Sequence, residues 1–491
     1  MGKRVIVVGG GLAGLGAAIR LAHAGFGVEL FEKNLQLGGK MNHVKAQGYR
    51  FDTGPSLLTM PFIIDELFHA VSLKREDYLT FEPIDPICRY FWNDGSQLDA
   101  SMHIRSMMDQ LAGLSPQDAQ RYADFLLYSK RIYEITADTF LYSAIHEPGQ
   151  LLNRHNLFKL LQVGQIDPLH TVDQGVRRFF KDKRIVQLFN RYATYNGSDP
   201  FKAPATLNII PFVEFVLGSY YIKGGMYQLV QQLHYLAEQS GVKIYTETSV
   251  DKILHKDGAV EGVLVNGTSE HSDVVLCNAD IVVAHEQLID GFKGHRKKLS
   301  RLEPSLSGMV FLWGLNDALP SLTHHNILFS DNYRKEFKAL FDDLVIPNDP
   351  TIYLSITAKS GDDHAPAGKS NAFILLNMPY LNDSQDWDKA VDKMRMIILN
   401  RLKAMSIDVA DKIEYEHVIS PLDLYTKFSS NRGSIYGISS NNRTAAFKRP
   451  ANRSRNIKNL YFAGGSVHPG GGIPLVLLSA KMAADLISKR H

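Results

Sequence analysis

The sequence opens with a short apolar run that leads directly into closely spaced glycines. Residues 4–14 read Arg-Val-Ile-Val-Val-Gly-Gly-Gly-Leu-Ala-Gly, and the β-branched run within them is typical of a strand buried on both faces. Gly9, Gly11 and Gly14 fit the pattern G-x-G-x-x-G. In this pattern the first glycine permits a tight turn, the second lets a pyrophosphate approach the backbone, and the third lets a helix pack on the strand. The sequence therefore predicts a unit that binds a dinucleotide.

The residues that follow the turn strengthen this prediction. A helix over residues 12–24 would direct its positive N-terminal end at the phosphates, and a second strand over 28–31 leads into Glu32. A carboxylate at this place can accept hydrogen bonds from the adenosine ribose hydroxyls, and it disfavours a ligand with a 2′-phosphate. A glycine-rich turn without a ligand would not require all these elements in this order. The motif alone leaves NAD and FAD both open.

The composition limits the class of protein. A chain of 491 residues with 45% hydrophobic and 21% charged residues is typical of a protein with a large core and two or three domains. A net charge of +3 is too small to indicate a nucleic-acid partner, but it is compatible with an anionic membrane surface. Cys88 and Cys277 are too few for a disulfide framework or a metal site, which indicates a reducing compartment.

The sequence contains no run that predicts a membrane-spanning helix. The nearest approach, residues 206–222, contains Pro211 and Glu214. The first strand begins almost at Met1, so no signal peptide is expected before it. We therefore expect a cytoplasmic protein that either is free or lies on a membrane surface.

Two more loops carry a resemblance to a known family. Gly38, Gly39 and Lys40 follow the second strand, and residues 52–57 read Asp-Thr-Gly-Pro-Ser-Leu. Residues 459–474 read Asn-Leu-Tyr-Phe-Ala-Gly-Gly-Ser-Val-His-Pro-Gly-Gly-Gly-Ile-Pro, which predicts a buried strand, a glycine loop and the start of a helix. With the dinucleotide turn, these motifs resemble the FAD-dependent amine oxidases and carotenoid desaturases. The closer resemblance is to the bacterial-type phytoene desaturases.

This resemblance implies that the cofactor is FAD. It also implies an α/β fold, with a Rossmann-like FAD-binding domain of the amine oxidase or phytoene desaturase type and a discontinuous α+β substrate domain. We expect the FAD-binding domain in residues 1–81, 223–303 and 450–491. The helical, membrane-facing cap of the substrate domain is expected in 82–222, and its antiparallel sheet with further helices in 304–449.

The expected FAD contacts come from all parts of that domain and from the start of the substrate sheet. Lys40 would supply counter-charge to the phosphates. In the resembled family, the backbone near Val250 receives the adenine and the segment around Asn278 returns to the cofactor. The full set is Gly9, Gly11, Gly14, Glu32, Lys40, Pro55, Ser56, Leu57, Val250, Asn278, Leu306, Gly465, Gly472 and Ile473.

The substrate domain is predicted from periodicity. Residues 120–140 and 157–163 repeat apolar side chains at helical spacing. The nearly continuous apolar run at 206–221 fits either a fully buried helix or a helix at a membrane interface. Segments 309–315, 351–357, 371–378 and 413–419 predict a mostly antiparallel sheet, with helices over 332–344 and 387–405.

The resemblance also implies the reaction. A desaturase removes a hydride and a proton from neighbouring carbons of a carotenoid, and the flavin takes the hydride. We expect desaturation of the C-3,4 bond at a 1-hydroxylated acyclic carotenoid end. The alternatives are desaturation of phytoene or diapophytoene, amine oxidation, carotenoid isomerisation, and non-enzymatic isoprenoid binding of the GDP-dissociation-inhibitor kind.

A catalytic base is harder to identify from the sequence. His468 lies in the loop next to the flavin, where a role in shaping the loop is an equal alternative. Asp167 and Glu214 are the other candidates, and both are expected to be surface or capping charges.

The chemistry of the substrate indicates the partners. Hydrocarbon burial contributes about 0.8 kcal/mol per CH₂, so a carotenoid should enter directly from a bilayer rather than through water. We therefore expect peripheral binding at the cytoplasmic face of the membrane. The sequence has no second dinucleotide motif and no C-x-x-C pair, so oxygen or a quinone is the expected electron acceptor.

Overall fold

The computed structural model of the protein describes residues 2–147, 163–361, 363–442 and 448–491. The helical segment predicted at 157–163 lies outside the described residues, except for its last residue. In chain order the strands are β1 (Arg4–Val8), β2 (Gly27–Phe31), β3 (His43–Ala46), β4 (Tyr49–Asp52), β5 (Phe81–Pro83), β6 (Cys88–Phe91), β7 (Gln97–Ala100), β8 (Tyr220–Ile222), β9 (Lys243–Tyr245), β10 (Val250–Lys256), β11 (Ala259–Val265), β12 (Thr268–His271), β13 (Val274–Cys277), β14 (Ser307–Leu315), β15 (His325–Leu328), β16 (Ile352–Ser355), β17 (Ser370–Met378), β18 (Ile413–Ile419) and β19 (Leu460–Phe462).

The α-helices include short segments of a single turn. In chain order they are α1 (Leu12–His23), α2 (Phe62–His69), α3 (Ile104–Leu114), α4 (Pro116–Thr136), α5 (Val172–Val176), α6 (Lys183–Asn190), α7 (Ile209–Phe215), α8 (Gln228–Gln239), α9 (Ile281–Val283), α10 (Lys293–Leu299), α11 (Tyr333–Phe341), α12 (Trp387–Ala404), α13 (Pro421–Phe428) and α14 (Ile473–Ser488).

A parallel sheet is built around β1. Its five strands lie in the order β19–β13–β1–β2–β9, and all pair in parallel. Val5 and Val7 pack with the apolar side chains of α1, α8 and α14. Ile6 and Val8 point to the other face, where they pack with the antiparallel sheet β10–β11–β12. The β-branched run is thus buried on both faces, as the sequence predicted.

An antiparallel sheet forms the second layer. Its strand order is β18–β14–β17–β16–β15–β6–β7, and among these neighbours only β15 and β6 run parallel. Met309, Phe311 and Trp313 of β14 pack with α12, whereas Gly308 and Val310 alternate with them and line a cavity. Residues 82–222, which the sequence predicted as a helical cap, also contribute β6 and β7 to this sheet.

The apolar run at 206–221 does not form one helix. It begins with the 3₁₀ turn Ala205–Asn208, continues as α7 and ends in strand β8. Five successive residues of α7, from Pro211 to Phe215, are buried, so the buried alternative describes this helix. None of the helices in the described part of the chain has both the length and the apolar character needed to cross a membrane.

Candidate active site

A large cavity of about 970 Å³ is lined by residues of both the parallel and the antiparallel sheet. The glycine turn after β1 and the loop after β19 line one part of it, and β14, β17 and α7 line another. Every residue predicted to contact FAD lines this cavity except Gly14. A Cβ atom on Gly14 would overlap the carbonyl oxygen of Gly9, so Gly14 allows α1 to pack against the turn.

The glycine turn presents its backbone to the cavity. Gly11 is the N-cap residue of α1, and no side chain caps the helix there. A Cβ atom on Gly11 would lie 2.7 Å from Oδ1 of Asn278, so any larger residue would displace that side chain. Glu32 is buried, and its Oε2 accepts a hydrogen bond from the backbone N–H of Gly10 at 2.8 Å. An open helix N-terminus next to a buried acid matches the requirements of a dinucleotide phosphate and its ribose.

The C-terminal loop is attached to the same place through Asn278. The backbone N–H of Asn278 donates to Val8 O at 2.8 Å, and the side-chain Nδ2 of Asn278 donates to Ala463 O at 2.7 Å. Gly464 follows with a φ of 131°, in the region that favours glycine. The N-terminal turn, the end of β13 and the end of β19 therefore form one continuous surface, as the resemblance implied.

Lys40 lies within this surface but already has protein partners. Its Nζ donates to Ser434 O at 2.9 Å and to Ile435 O at 2.8 Å. Burial lowers the pKa of Lys40 to about 8, and the carboxylate of Asp280 opposes that shift. Lys40 therefore ties the G-G-K loop to the segment that leads out of the substrate domain. The role of counter-charge to phosphates stays a prediction.

His468 lines the cavity and is held by the backbone. Its Nε2 donates to Ser143 O at 2.9 Å, and burial is the main cause that lowers the pKa of His468 to about 4. The imidazole is therefore neutral near pH 7. This geometry favours the loop-shaping role among the two roles considered for His468.

The expectation that Asp167 and Glu214 are surface or capping charges is wrong. Asp167 is buried, accepts a hydrogen bond from Tyr128 Oη at 2.8 Å and forms an ion pair with Arg178. It is absent from the cavity lining. Both carboxylates have fixed partners inside the protein, which the sequence did not predict.

Glu214 lines the cavity and is fully buried, with 0% of its surface exposed. Its Oε1 accepts from Tyr192 Oη at 2.6 Å and from Arg191 Nη2 at 3.1 Å, and its Oε2 accepts from Tyr195 Oη. One sequence signal could have indicated this. A single carboxylate within the apolar run of α7 needs a buried partner, because an unpaired charge in such a place costs several kcal/mol.

A second polar group in the cavity carries no sequence motif. Tyr353 Oη hydrogen-bonds with Ser56 Oγ and also lies 2.8 Å from Nδ1 of His325. Ser56 belongs to the turn expected to contact FAD, whereas His325 and Tyr353 come from neighbouring strands of the antiparallel sheet. Strand pairing brings them together, and local patterns do not predict it.

The comparison with known families identifies the chain. The model of the flavin-containing amine oxidoreductase family matches residues 12–488. The chain belongs to this family. It is a flavin-dependent oxidoreductase whose cofactor is FAD. The cavity is consistent with this cofactor, because a glycine turn without side chains, a buried acid and the C-terminal loop meet there.

Curated relatives match the chain over its full length. It is 40% identical over 486 residues to a 1-hydroxycarotenoid 3,4-desaturase from Flavobacterium sp., covering 99% of each chain. It is 38% identical to a 4,4'-diapolycopene oxygenase from Methylomonas sp., covering 99% of this chain and 98% of the relative. It is 35% identical to a 4,4'-diaponeurosporene oxygenase from Staphylococcus aureus, covering 100% and 99%. The resemblance derived from the motifs is confirmed.

Solved structures confirm the α/β fold. An oxidoreductase from Methanosarcina mazei superposes with a TM-score of 0.65 at 15% identity, covering 98% of this chain and 100% of that one. Cyclohexylamine oxidase from Brevibacterium oxydans gives a TM-score of 0.62 at 15% identity, covering 100% and 99%. At such low identity these structures establish the architecture and leave the substrate open.

Proposed function

We propose that this protein is an FAD-dependent desaturase that removes two hydrogens from the C-3,4 bond of a 1-hydroxylated acyclic carotenoid. The observation that carries the proposal is the continuous cavity, which extends from the FAD-binding surface into an apolar space. The full-length identity of 40% with the 1-hydroxycarotenoid 3,4-desaturase supports the choice of bond.

The chain supplies the surfaces that hold and orient both molecules. FAD, when bound, accepts a hydride from a substrate carbon, and a proton leaves the neighbouring carbon. The Gly9–Gly11 backbone, Glu32 and the loop around Gly465 would hold FAD. The substrate carbons would lie beyond Pro55 and Ser56, next to the antiparallel sheet.

The apolar part of the cavity binds hydrocarbon and excludes water. Ile209, Ile210 and Val213 of α7 line it, as do Val310 and Leu375 of the sheet. Each buried CH₂ group contributes about 0.8 kcal/mol, so a long chain gains affinity without any polar contact. A polyene is retained by its length, and the position of the reacting bond then depends on the few polar groups present.

The aromatic residues around Arg191, a residue of the cavity lining, argue against amine oxidation. Tyr90, Tyr192 and Tyr195 surround the guanidinium of Arg191, whose central carbon lies 4.4 Å from the ring centre of Tyr192. These rings therefore already bind a cation that belongs to the protein itself. A substrate ammonium would have to approach beside that positive charge.

We further propose that the protein binds the cytoplasmic face of a membrane and passes its electrons to oxygen or a quinone. Leu169 is 67% exposed next to the cavity-lining Pro168, and Val216 is 45% exposed just after α7. Exposed apolar side chains close to a hydrophobic cavity suit a site that takes its substrate from lipid. Flotation with liposomes tests this, and absence of binding with and without substrate would contradict it.

Oxygenation is a second candidate, because two of the relatives are named oxygenases of acyclic carotenoids. The two reactions differ in product mass. Desaturation removes two hydrogens, and oxygenation adds oxygen to the chain. Isomerisation changes neither the number of hydrogens nor the number of oxygens, so the product mass equals the substrate mass.

The decisive experiment is expression in cells that accumulate one defined carotenoid. Three hosts should contain a 1-hydroxylated acyclic carotenoid, phytoene, or 4,4'-diapolycopene. We expect a loss of two hydrogens and a longer absorption wavelength in the first host only. Conversion of phytoene to lycopene would overturn the choice of substrate, and a gain of oxygen in the third host would establish the oxygenase.

A further inference from the structure

We propose that Arg191, Tyr195 and His325 form a binding subsite for a hydroxyl group at the end of an apolar chain. All three residues line the cavity. The inference rests on the proposed function, because it names the residues that would recognise the 1-hydroxyl of the substrate.

Arg191 has an unused hydrogen-bond donor in this place. The residue is 8% exposed, and it donates through Nε to Tyr90 Oη at 2.8 Å and through Nη2 to Glu214 Oε1 at 3.1 Å. Its Nη1 has no acceptor among the residues that the structure describes. A guanidinium N–H on the cavity lining without a protein acceptor can donate to a ligand oxygen.

The charge of the cluster selects a neutral ligand. Arg191 and Glu214 form a buried ion pair with no net charge. Burial and the Glu214 carboxylate raise the pKa of Tyr192 and of Tyr195 well above the usual value, so both phenols stay protonated and donate to Glu214. A carboxylate or an ammonium at this place would add an uncompensated charge to the cavity, whereas a hydroxyl adds none.

His325 offers a second unpaired atom. Its Nδ1 interacts with Tyr353 Oη at 2.8 Å, and its Nε2 is buried with no partner among the described residues. Burial, His324 and the positive charge of Arg191 lower the pKa of His325 well below its usual value, so the ring is neutral. A hydroxyl is both donor and acceptor, so it can accept from Arg191 Nη1 and donate to the oxygen of Tyr195, while the neutral ring of His325 also lines the cavity.

The subsite lies beside the turn expected to contact FAD. Tyr353 Oη connects His325 to Ser56 Oγ, and Ser56 lies in that turn. In a 1-hydroxylated chain, C-3 is two bonds away from the carbon that carries the hydroxyl. A hydroxyl bound at Arg191 would therefore hold the C-3,4 bond close to the turn, while the rest of the chain extends into the apolar part of the cavity.

The test uses one acyclic carotenoid with a 1-hydroxyl group and the same chain without it. The variant Arg191→Lys keeps a positive charge next to Glu214 but lacks the guanidinium fork. We expect the ratio of kcat/KM for the two substrates to fall roughly 10- to 100-fold, the effect of losing a hydrogen bond to a charged donor. Tyr195→Phe, which retains the ring, should lower the same ratio by a smaller factor.

The matched control is Arg50→Lys. Arg50 is also buried and pairs with Asp52 at 3.0 Å, but neither residue lines the cavity. This variant makes the same chemical change to a buried ion pair. It should therefore alter stability without altering the ratio of kcat/KM for the two carotenoids. FAD content, read from the flavin absorbance, shows that each variant is folded. An unchanged ratio in FAD-loaded Arg191→Lys would overturn the subsite.

Binding measurements separate this inference from the proposed reaction. The change in flavin absorbance on adding each carotenoid reports affinity without turnover. If the protein prefers the hydroxylated chain through Arg191 but removes no hydrogens, the subsite stands and the reaction is wrong. If it desaturates both chains and binds them equally, the subsite is wrong and desaturation stands.

Discussion

The side-chain amide of Asn278 donates to the carbonyl oxygen of Ala463 over 2.7 Å, which joins the end of β13 to the end of β19. The Oδ1 atom of the same side chain lies close to Gly11, at the start of α1. One asparagine thus contacts the N-terminal, middle and C-terminal parts of the surface expected to bind FAD. Residues far apart in sequence meet at this side chain, in addition to the pairing of β1, β13 and β19.

Asn278→Ala should weaken FAD binding and lower stability. The substitution leaves Ala463 O without its donor, which costs about 1–3 kcal/mol. We expect the affinity of the apoprotein for FAD to fall roughly tenfold, measured by fluorescence titration, with a lower midpoint of urea unfolding. Asn456→Ala, at an exposed asparagine, is the control and should change neither value. Unchanged FAD affinity in Asn278→Ala would show that the three segments hold together without this side chain.

Gly14→Ala tests the packing of α1 against the glycine turn. The new Cβ atom would overlap Gly9 O, a backbone atom that can move only if the turn moves. We expect a loss of about 1–3 kcal/mol in the free energy of unfolding and poor retention of FAD. Gly113→Ala is the matched control, because that glycine is also helical and has open space around it. The Gly113→Ala substitution should stabilise the protein by about 0.5–1 kcal/mol.

The lowered pKa of Lys40 predicts how FAD binding depends on pH. Burial lowers its pKa in the apoprotein to about 8. If its charge supports the phosphates, FAD affinity should fall by up to about tenfold per pH unit above 8, because binding then requires uptake of a proton. Lys40→Arg should remove this dependence, since arginine stays charged throughout. An equally steep pH dependence in Lys40→Met would assign the effect to another group.

The stability of the apoprotein should change in the opposite direction over the same range. The pKa of Lys40 has its usual value of 10.5 in the unfolded chain and is lowered to about 8 by burial in the folded protein. Between these values the unfolded chain binds more protons, so the Lys40 contribution to stability rises with pH. Urea unfolding of wild type and Lys40→Met between pH 8 and 10 measures the difference. A Lys40 contribution that falls with pH would contradict the lowered pKa.

His468→Gln should keep most of the turnover. Because Nε2 of His468 donates to Ser143 O and its ring is neutral near pH 7, its hydrogen bond matters more than its basicity. Glutamine can replace the donor, so we expect kcat within about threefold of wild type and an unchanged pH profile. His468→Ala, which removes the donor, should lose FAD more readily. A large loss of kcat in FAD-loaded His468→Gln would instead assign a catalytic role to the ring.

Local patterns were sufficient for the elements expected to contact FAD. The β-branched run of β1 required burial on both faces, and the glycine spacing required a turn followed by a helix. Residues 309–315 and 371–378 predicted strands, and the observed ends of β14 and β17 differ from these bounds by two residues or fewer. The motif residues line one cavity because each motif fixes the backbone locally and the parallel strands bring those ends together.

The sequence by itself determined the strand–turn–helix unit, because its residues are close together in the chain. The family, and through the family FAD, followed from the resemblance of several short motifs, each of which is local. The tertiary structure decided that β6 and β7 join the antiparallel sheet, and that Arg191 and Glu214 meet inside the cavity. The physical reason is the cost of burying a charge without a partner. That cost requires Glu214 to have a partner, but only the packing of α6, α7 and the sheet decides which residue it is.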